Sequence, residues 1–291
     1  HANCRTAGCR TARRTESLRM ADLPDPSPPL SAEQADLAFA QILDGACSDN
    51  AIASFLSSLA DRGETATELA AAARAMRARM ISINAPANAI DVCGTGGDGQ
   101  HSLNVSTAVA IVVAACDVPV AKHGNRAASS KAGAADTLEA LGVRLDISPD
   151  VAERQLADLG ICFLFAQNHH PALKRLGPIR KAIGRRTIFN LLGPLANPAG
   201  VSRQLIGVAA PAIIPVYAQA MEMLNYERAM VVSGWDAEQP NNGYIDEISV
   251  AYGNASAFIG LPTSVLSLEA SRMPCAYAPM SALRGGDPAC N

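Results

Sequence analysis

From Ile90 onward the chain alternates short apolar runs with segments of helical length, and this alternation narrows the fold more than any other feature. The runs are residues 90–93, 118–121, 161–166, 205–209 and 229–232. Among them lie the stretches 105–116, 130–141, 149–159 and 211–224, each long enough for about three helical turns. Strands separated this way are expected to lie parallel, because a parallel pair needs a crossover of helical length whereas an antiparallel pair closes through a tight turn. The expected fold is therefore α/β, with a mostly parallel central sheet flanked by helices and its chemistry at the C-terminal ends of the strands. A chain that is 49% hydrophobic but only 4% aromatic suits that layering better than an all-β sandwich.

The stretch before Ile90 has a different grammar. Pro24, Pro26, Pro28 and Pro29 mark a lead-in. A helix then runs from Ala32 to the stop at Gly45, and a second covers 52–61 before Gly63. Thr65 and Glu68 have the spacing of a capping box, which opens an alanine-rich third helix reaching to about Met80. Three short helices joined by tight turns predict a small helical domain.

The formal net charge is −3. Residues 1–19 hold five Arg and one Glu, a balance of +4, so the remainder carries −7. A chain this acidic offers no field for nucleic acid. No run of 18 apolar residues is present, so no membrane span is expected. The eight Cys form no Cys-x-x-Cys pair and no metal-ligand spacing, the usage of a reducing, cytoplasmic compartment. Residues 1–19 lack the apolar stretch of a signal peptide and read as upstream sequence joined to a start at Met20.

Two loops carry the chemistry. Gly94, Thr95, Gly96, Gly97 and Asp98 follow a predicted strand and lead to the helix that begins near Asn104. Glycines let the backbone approach an oxyanion, and a helix N-terminus adds free N–H groups and the positive end of the dipole. Taken alone, the pattern fits a phosphate cradle and a capped strand-to-helix turn equally well. Neither the Walker lysine loop nor the dinucleotide glycine spacing is present. The second loop, 122–131, also follows a predicted strand, and it gathers Lys122, His123, Asn125, Arg126, Ser129, Ser130 and Lys131 within ten residues. Such a set can bind a pyrophosphate and ribose hydroxyls together.

With both loops in view, the chain resembles the anthranilate phosphoribosyltransferase family. The likeness runs through residues 94–98, 104–107 and 122–133, then Asp136-Thr137-Leu138-Glu139-Ala140-Leu141-Gly142. It continues in His170-Pro171-Ala172-Leu173-Lys174 and in 186–198, Arg-Thr-Ile-Phe-Asn-Leu-Leu-Gly-Pro-Leu-Ala-Asn-Pro. Ile42-Leu43-Asp44-Gly45 and Arg62-Gly63-Glu64-Thr65 extend it into the helical opening. The resemblance implies the nucleoside phosphorylase/phosphoribosyltransferase type of fold, a small N-terminal helical domain followed by the large α/β domain. It also implies transfer of a phosphoribosyl group from phosphoribosyl pyrophosphate to anthranilate, with release of pyrophosphate, in tryptophan biosynthesis.

Site roles follow from the same resemblance. Gly94, Gly97, Asp98, Ser102, Asn104, Val105, Ser106 and Thr107 match donor contacts. Lys122, His123, Gly124, Asn125, Arg126, Ala127, Ala128, Ser129 and Ser130 match the second wall, with Ala134 beyond it. Lys122 is the residue expected to stabilise the departing pyrophosphate. Ser106, Asp246 and Glu247 match the ligands of Mg²⁺, and Gly94, Asn125 and Arg180 match contacts to anthranilate. A guanidinium suits a carboxylate through a forked hydrogen bond. His169 and His170 are not read as metal ligands, because adjacent side chains diverge and nothing nearby completes a tetrahedral set. The family's homodimer, formed through the helical domain, is expected here as well.

Under this reading residues 1–29 are an extension and lead-in, 30–86 the helical domain, 87–249 the α/β domain and 250–291 an atypical tail. The family pattern stops after Ser249, where relatives continue with a Gly-Pro-Thr strand and further elements, and 235–242 looks like a small insertion. The C-terminal part of the fold is therefore expected to be incomplete, leaving apolar helix faces and a sheet edge uncovered. A pyrimidine nucleoside phosphorylase-like enzyme is the nearest alternative, but its lysine- and serine-bearing signature is absent. An inactive or nucleic-acid-binding relative is the third reading, opposed by the intact 122–131 loop, Arg180 and the acidic balance.

Overall fold

The computed structural model describes residues 20–127, 131–236, 241, 243–261, 278–289 and 291. Three helices open it: α1 (Ala32–Asp44), α2 (Asp49–Arg62) and α3 (Ala66–Arg77). Each is started by a hydroxyl side chain, Ser31, Ser48 or Thr65, that accepts from a backbone N–H of the first turn. The predicted capping box is present. Glu68 N–H donates to Thr65 Oγ1 at 3.3 Å and Thr65 N–H to Glu68 Oε2 at 2.9 Å. The same buried carboxylate accepts from Leu30 N–H at 2.9 Å and from Arg62 at 2.6 Å, tying the lead-in and α2 to α3.

The α/β part follows the expected alternation. Its strands are β1 (Ile90–Gly94), β2 (Val120–Gly124), β3 (Ile161–Phe165), β4 (Arg203–Gly207), β5 (Arg228–Asp236), β6 (Tyr244–Ile245) and β7 (Tyr252–Ile259). The helices between them are α4 (Val105–Ala114), α5 (Ala134–Ala140), α6 (Pro149–Leu159), α7 (Ala166–His169), α8 (Leu173–Ile183) and α9 (Ile214–Met223). The order is β3-β2-β1-β4-β5-β6, with β7 also on β5, and the first five strands are mutually parallel. From β1 the chain winds outward to β2 and β3, then returns to the other side of β1 as β4. That reversal makes the β1/β4 boundary a switch point, where a crevice opens beyond the strand ends. The loop after β1 lies there.

One apolar core joins the two parts. Phe39 of α1 packs edge-on against Phe55 of α2 and against Phe189, at centroid distances of 6.0 and 6.5 Å. The cluster continues through Leu192, Leu195, Ile206, Tyr217 and Val231.

The tail departs from its sequence reading. Residues 252–259 form β7, antiparallel to β5 in unbroken register from Tyr252 opposite Asp236 to Ile259 opposite Ala229. The strand was hidden because small residues, Gly253, Ala255, Ser256 and Ala257, dominate its middle. A side chain at Gly253 would collide with the Trp235 indole, and Ala255 and Ala257 pack on the core. Further on, Leu283 packs against Ile245 and Ala251. Exposed apolar surface does occur on α4, where Ile111 and Val112 are 51% and 62% exposed. Among the described residues no helix is long and apolar enough to cross a membrane.

Candidate active site

At the switch point the end of β1 is pressed against the acidic pair. A side chain at Gly94 would run into the Asp246 carboxylate, and one at Gly207 into the Asp246 backbone. Both positions therefore need glycine for close approach. Gly96 and Gly97 turn the chain at φ of 66° and 76°, so the loop can present its amides. Gly96 N–H donates to Asp246 Oδ2 at 2.7 Å, and Thr95 N–H to Gly207 O at 2.9 Å. Asp98 joins them, accepting from Gln100 N–H at 3.0 Å and from Asp246 N–H at 3.4 Å.

The N-terminus of α4 faces this cluster. Asn104 stands at the cap position with Val105 as the first helical residue, and the Glu247 carboxylate accepts from the Ser106 N–H. A carboxylate thus occupies the kind of place a helix dipole offers to a phosphate. Lys122, 3% exposed in the middle of β2, donates to Val92 O at 2.7 Å and to Ser106 Oγ at 3.2 Å. Thr107 Oγ1 is buried without a hydrogen-bond partner. Ser102 lies in an antiparallel bridge with Arg284, so the tail runs beside the segment that joins the 94–98 loop to α4.

Burial, reinforced by the Asp98 charge, lifts the Asp246 carboxyl to about 7. Burial and the Asp246 charge lift Glu247 to about 8, with Lys122 opposing. Two desolvated acids beside a third make a site that favours added positive charge. Among the described residues no three His, Cys, Asp or Glu side chains cage a metal unaided. The set suits a hard divalent ion that takes one or two carboxylates and completes its shell with phosphate and water.

The described residues of the 122–131 loop are held by several contacts within the protein. His123 is buried, and its Nδ1 lies 3.1 Å from Gly193 O. A carbonyl only accepts, so Nδ1 carries the proton and Nε2 faces His170 Nε2 at 3.3 Å as an acceptor. Burial lowers His123 to about 4 and His170 to about 3, so both rings are neutral near pH 7. His169 turns the other way, towards Ile81 O at 2.6 Å, as the divergence of neighbouring side chains requires.

Gly124 and Asn125 lead out of β2, and Asn125 Oδ1 accepts from Arg126 N–H at 2.8 Å. Arg126 itself is committed to Asp136 at 2.9 Å and Glu139 at 2.7 Å. Asp136 also accepts from Ala127 N–H and Gly133 N–H, each at 2.9 Å. Arg126 therefore pins the loop to α5, which starts at Ala134, and its charge is largely spent. Ala128, Ser129 and Ser130 lie outside the described residues.

Arg180 sits on α8, half-buried. Burial lowers the pKa of its guanidinium, and no carboxylate among the described residues offsets that cost. No hydrogen bond or ion pair among the described residues links it to Asn125 or Gly94. Sequence reading passed over Asp91, Asn197 and Gln204, which form a buried polar cluster behind β2. The only signal was a lone acid inside an apolar run.

This geometry has counterparts. The family model described as the glycosyl transferase family, a/b domain, matches residues 86–291, and that of the helical bundle domain matches 26–80. The anthranilate phosphoribosyltransferase of Novosphingobium aromaticivorans is 60% identical over 270 residues, covering 92% of this chain and 80% of that protein. The chain belongs to the anthranilate phosphoribosyltransferase family. Among solved members, the Thermus thermophilus enzyme is 39% identical with a TM-score of 0.78, covering 91% of this chain and 77% of that one. The Saccharomyces cerevisiae enzyme, in complex with PRPP and Mg, is 26% identical with a TM-score of 0.78, covering 93% and 77%. The family's α/β match takes in residues 250–291, which were expected to fall outside the pattern.

Proposed function

We infer that this chain transfers the phosphoribosyl group of phosphoribosyl pyrophosphate to anthranilate, giving N-(5-phosphoribosyl)anthranilate and pyrophosphate in tryptophan biosynthesis. The observation that carries this reading is the meeting of the α4 N-terminus, Lys122 and three carboxylates at the β1/β4 switch point. That arrangement fits a pyrophosphate together with a divalent cation, and membership of the family supplies the reaction.

The bond that forms joins the anthranilate nitrogen to C1 of the ribose. The bond that breaks is C1–O to the pyrophosphate, which leaves with the electron pair, while the nitrogen loses a proton to solvent. An aromatic amine is neutral near pH 7, so no strong base is needed. The neutral, weakly basic His123 and His170 agree with this.

Catalysis then rests on positioning and on charge stabilisation. The amides of the 94–98 loop and of α4 receive the donor's phosphates, with Ser102, Asn104 and Thr107 alongside. Lys122 keeps one of its three N–H groups beyond those given to Val92 O and Ser106 Oγ, and directs it to the leaving oxygens. Asp246, Glu247 and Ser106 would hold Mg²⁺, which supplies charge neutralisation for the pyrophosphate. Asn125 and Gly94 border the acceptor, and the uncompensated Arg180 takes its carboxylate. Ala128, Ser129 and Ser130 complete the donor wall.

A homodimer through the helical domain is part of the proposal, with Leu37, 59% exposed on α1, at its surface. So is a cytoplasmic setting, where both charged substrates are at hand. The test is to incubate the chain with both substrates and Mg²⁺ and follow pyrophosphate release. Release that depends on anthranilate and on Mg²⁺ supports the reading; a chain that binds both substrates yet yields no phosphoribosylated amine overturns it.

A further inference from the structure

The neighbouring strands β1 and β2 are not joined as the others are. The β1–β4 and β2–β3 ladders each pair five residues, whereas β1–β2 is in register only at Ile90 opposite Val120. Beyond that pair two side chains do the joining. Asp91 Oδ1 accepts from His123 N–H at 3.2 Å, and Lys122 Nζ donates to Val92 O at 2.7 Å.

Asp91 is fully buried, and its other oxygen is equally occupied. Oδ2 accepts from Asn197 Nδ2 at 2.8 Å and from Gln204 Nε2 at 3.1 Å. Asn197 also donates to Ala121 O at 2.8 Å and accepts from Ala199 N–H at 2.8 Å. Gln204 donates to Pro194 O at 2.9 Å. The 193–197 turn, part of the long motif to which the reaction assigned no role, is thereby bolted to the back of β2. Gly193 O completes the plate by fixing the His123 ring.

We propose that Asp91 is a positioning residue for the transfer reaction: through the His123 amide it holds β2 so that Lys122 meets the donor at a set height and angle. The proposal rests on the phosphoribosyl-transfer reading of this site. Only a carboxylate meets the requirement, since donors approach both of its oxygens. An asparagine would satisfy one side and set its NH₂ against an N–H on the other. A strand end displaced by a fraction of an ångström would mis-aim Lys122, which is costly where the reacting atoms must be aligned.

The test compares Asp91→Asn, Lys122→Met and the double variant, each with a thermal unfolding scan. Asp91→Asn is expected to lower kcat by about ten-fold or more while the anthranilate KM changes by less than about two-fold. In the Lys122→Met background the same change is expected to have almost no further effect, because Asp91 acts through Lys122. Multiplying effects, or a lowered unfolding temperature with kcat intact, would overturn the proposal.

Should Asp91→Asn fail to fold, Gln204→Met removes one of the three bonds and keeps the carboxylate. A kcat fall of about three-fold or more with unfolding unchanged supports the proposal, and none overturns it. Hydrogen exchange at the His123 amide supplies a readout independent of turnover. It is expected to quicken by about a hundred-fold in Asp91→Asn or in Gln204→Met, and unchanged exchange overturns the proposal. If the unaltered chain shows no transfer while the exchange result holds, the reaction assignment has failed and the positioning of the strand has not.

Discussion

Asp91 and Lys122 bridge the gap between β1 and β2 in opposite directions, the carboxylate reaching from β1 to the His123 amide and the ammonium reaching from β2 to the Val92 carbonyl. Side chains replace the backbone ladder where β1 and β2 part, next to the β1/β4 switch point. One buried charge of each sign makes this bridge, so each lowers the cost of burying the other. The pair would link fold to chemistry, because the group that closes the gap is the one assigned by the proposed function to the departing pyrophosphate.

Lys122→Met keeps most of the buried stem and removes the charge. Val92 O and Ser106 Oγ each lose a donor, which costs about 1–3 kcal/mol of stability. The larger effect is expected in turnover, a fall of about 10²–10³ in kcat, as for the loss of one oxyanion donor. Steady-state kinetics beside an unfolding curve would check both. A variant that kept nearly full kcat would remove Lys122 from the mechanism.

The acidic pair predicts a pH response of definite sign. Asp246 and Glu247 ionise near 7 and 8 in the fold, against ordinary values near 4. The folded state therefore binds their protons more tightly than the unfolded chain. This stability is fully present below about pH 4 and is lost as pH rises through 7 to 8. In metal-free solution the unfolding temperature should fall across that window, and Mg²⁺ with pyrophosphate should restore it by binding the ionised pair. Asp246→Asn should flatten the slope. A metal-free protein whose melting point is level from pH 5 to 8 would contradict the assignment.

Much of this was legible in the sequence, and the gaps have physical causes. The alternation after Ile90 gave the parallel sheet, because crossover length decides strand direction. The Thr65–Glu68 spacing gave a helix start, because the capping bonds are local. The two loops stood out because glycines, cations and hydroxyls gather within a few residues directly after predicted strands. Asp91 was silent, because a single acid in an apolar run shows its meaning only when Asn197 and Gln204 arrive from more than a hundred residues away. β7 was silent for the opposite reason. Its Gly, Ala and Ser residues fit beneath Trp235 and against the core, leaving no apolar alternation to read. The ion pairs of Arg126 were silent too, because Asp136 and Glu139 stand ten and thirteen residues further on, in α5, and are brought beside it only by the fold.

Glu68 supplies a test of stability apart from the site. Its carboxylate accepts from Leu30 N–H, Thr65 N–H and Arg62 while fully buried. Glu68→Ala would leave those donors without their partner and remove the side-chain half of the α3 capping box, a loss of about 3–5 kcal/mol by analogy with broken buried pairs. Denaturant titration should show that loss, while kcat measured on the remaining folded protein should be unchanged within about two-fold. A variant as stable as the parent would mean that water replaces the carboxylate without cost.

Substitution of Arg180 would separate acceptor recognition from donor chemistry. Its guanidinium is partly desolvated with no carboxylate to offset the cost among the described residues, so an incoming carboxylate would gain a charge-assisted pair of about 1.5–3 kcal/mol. Arg180→Gln should raise the anthranilate KM by about ten- to a hundred-fold and leave donor binding within about two-fold. Aniline, which lacks the carboxylate, is the control. The parent and the variant should use it equally poorly, because neither has anything for Arg180 to grip. If the substitution instead weakened donor binding and left the anthranilate KM alone, Arg180 would belong to the pyrophosphate side of the crevice, and recognition of the acceptor carboxylate would fall to another residue.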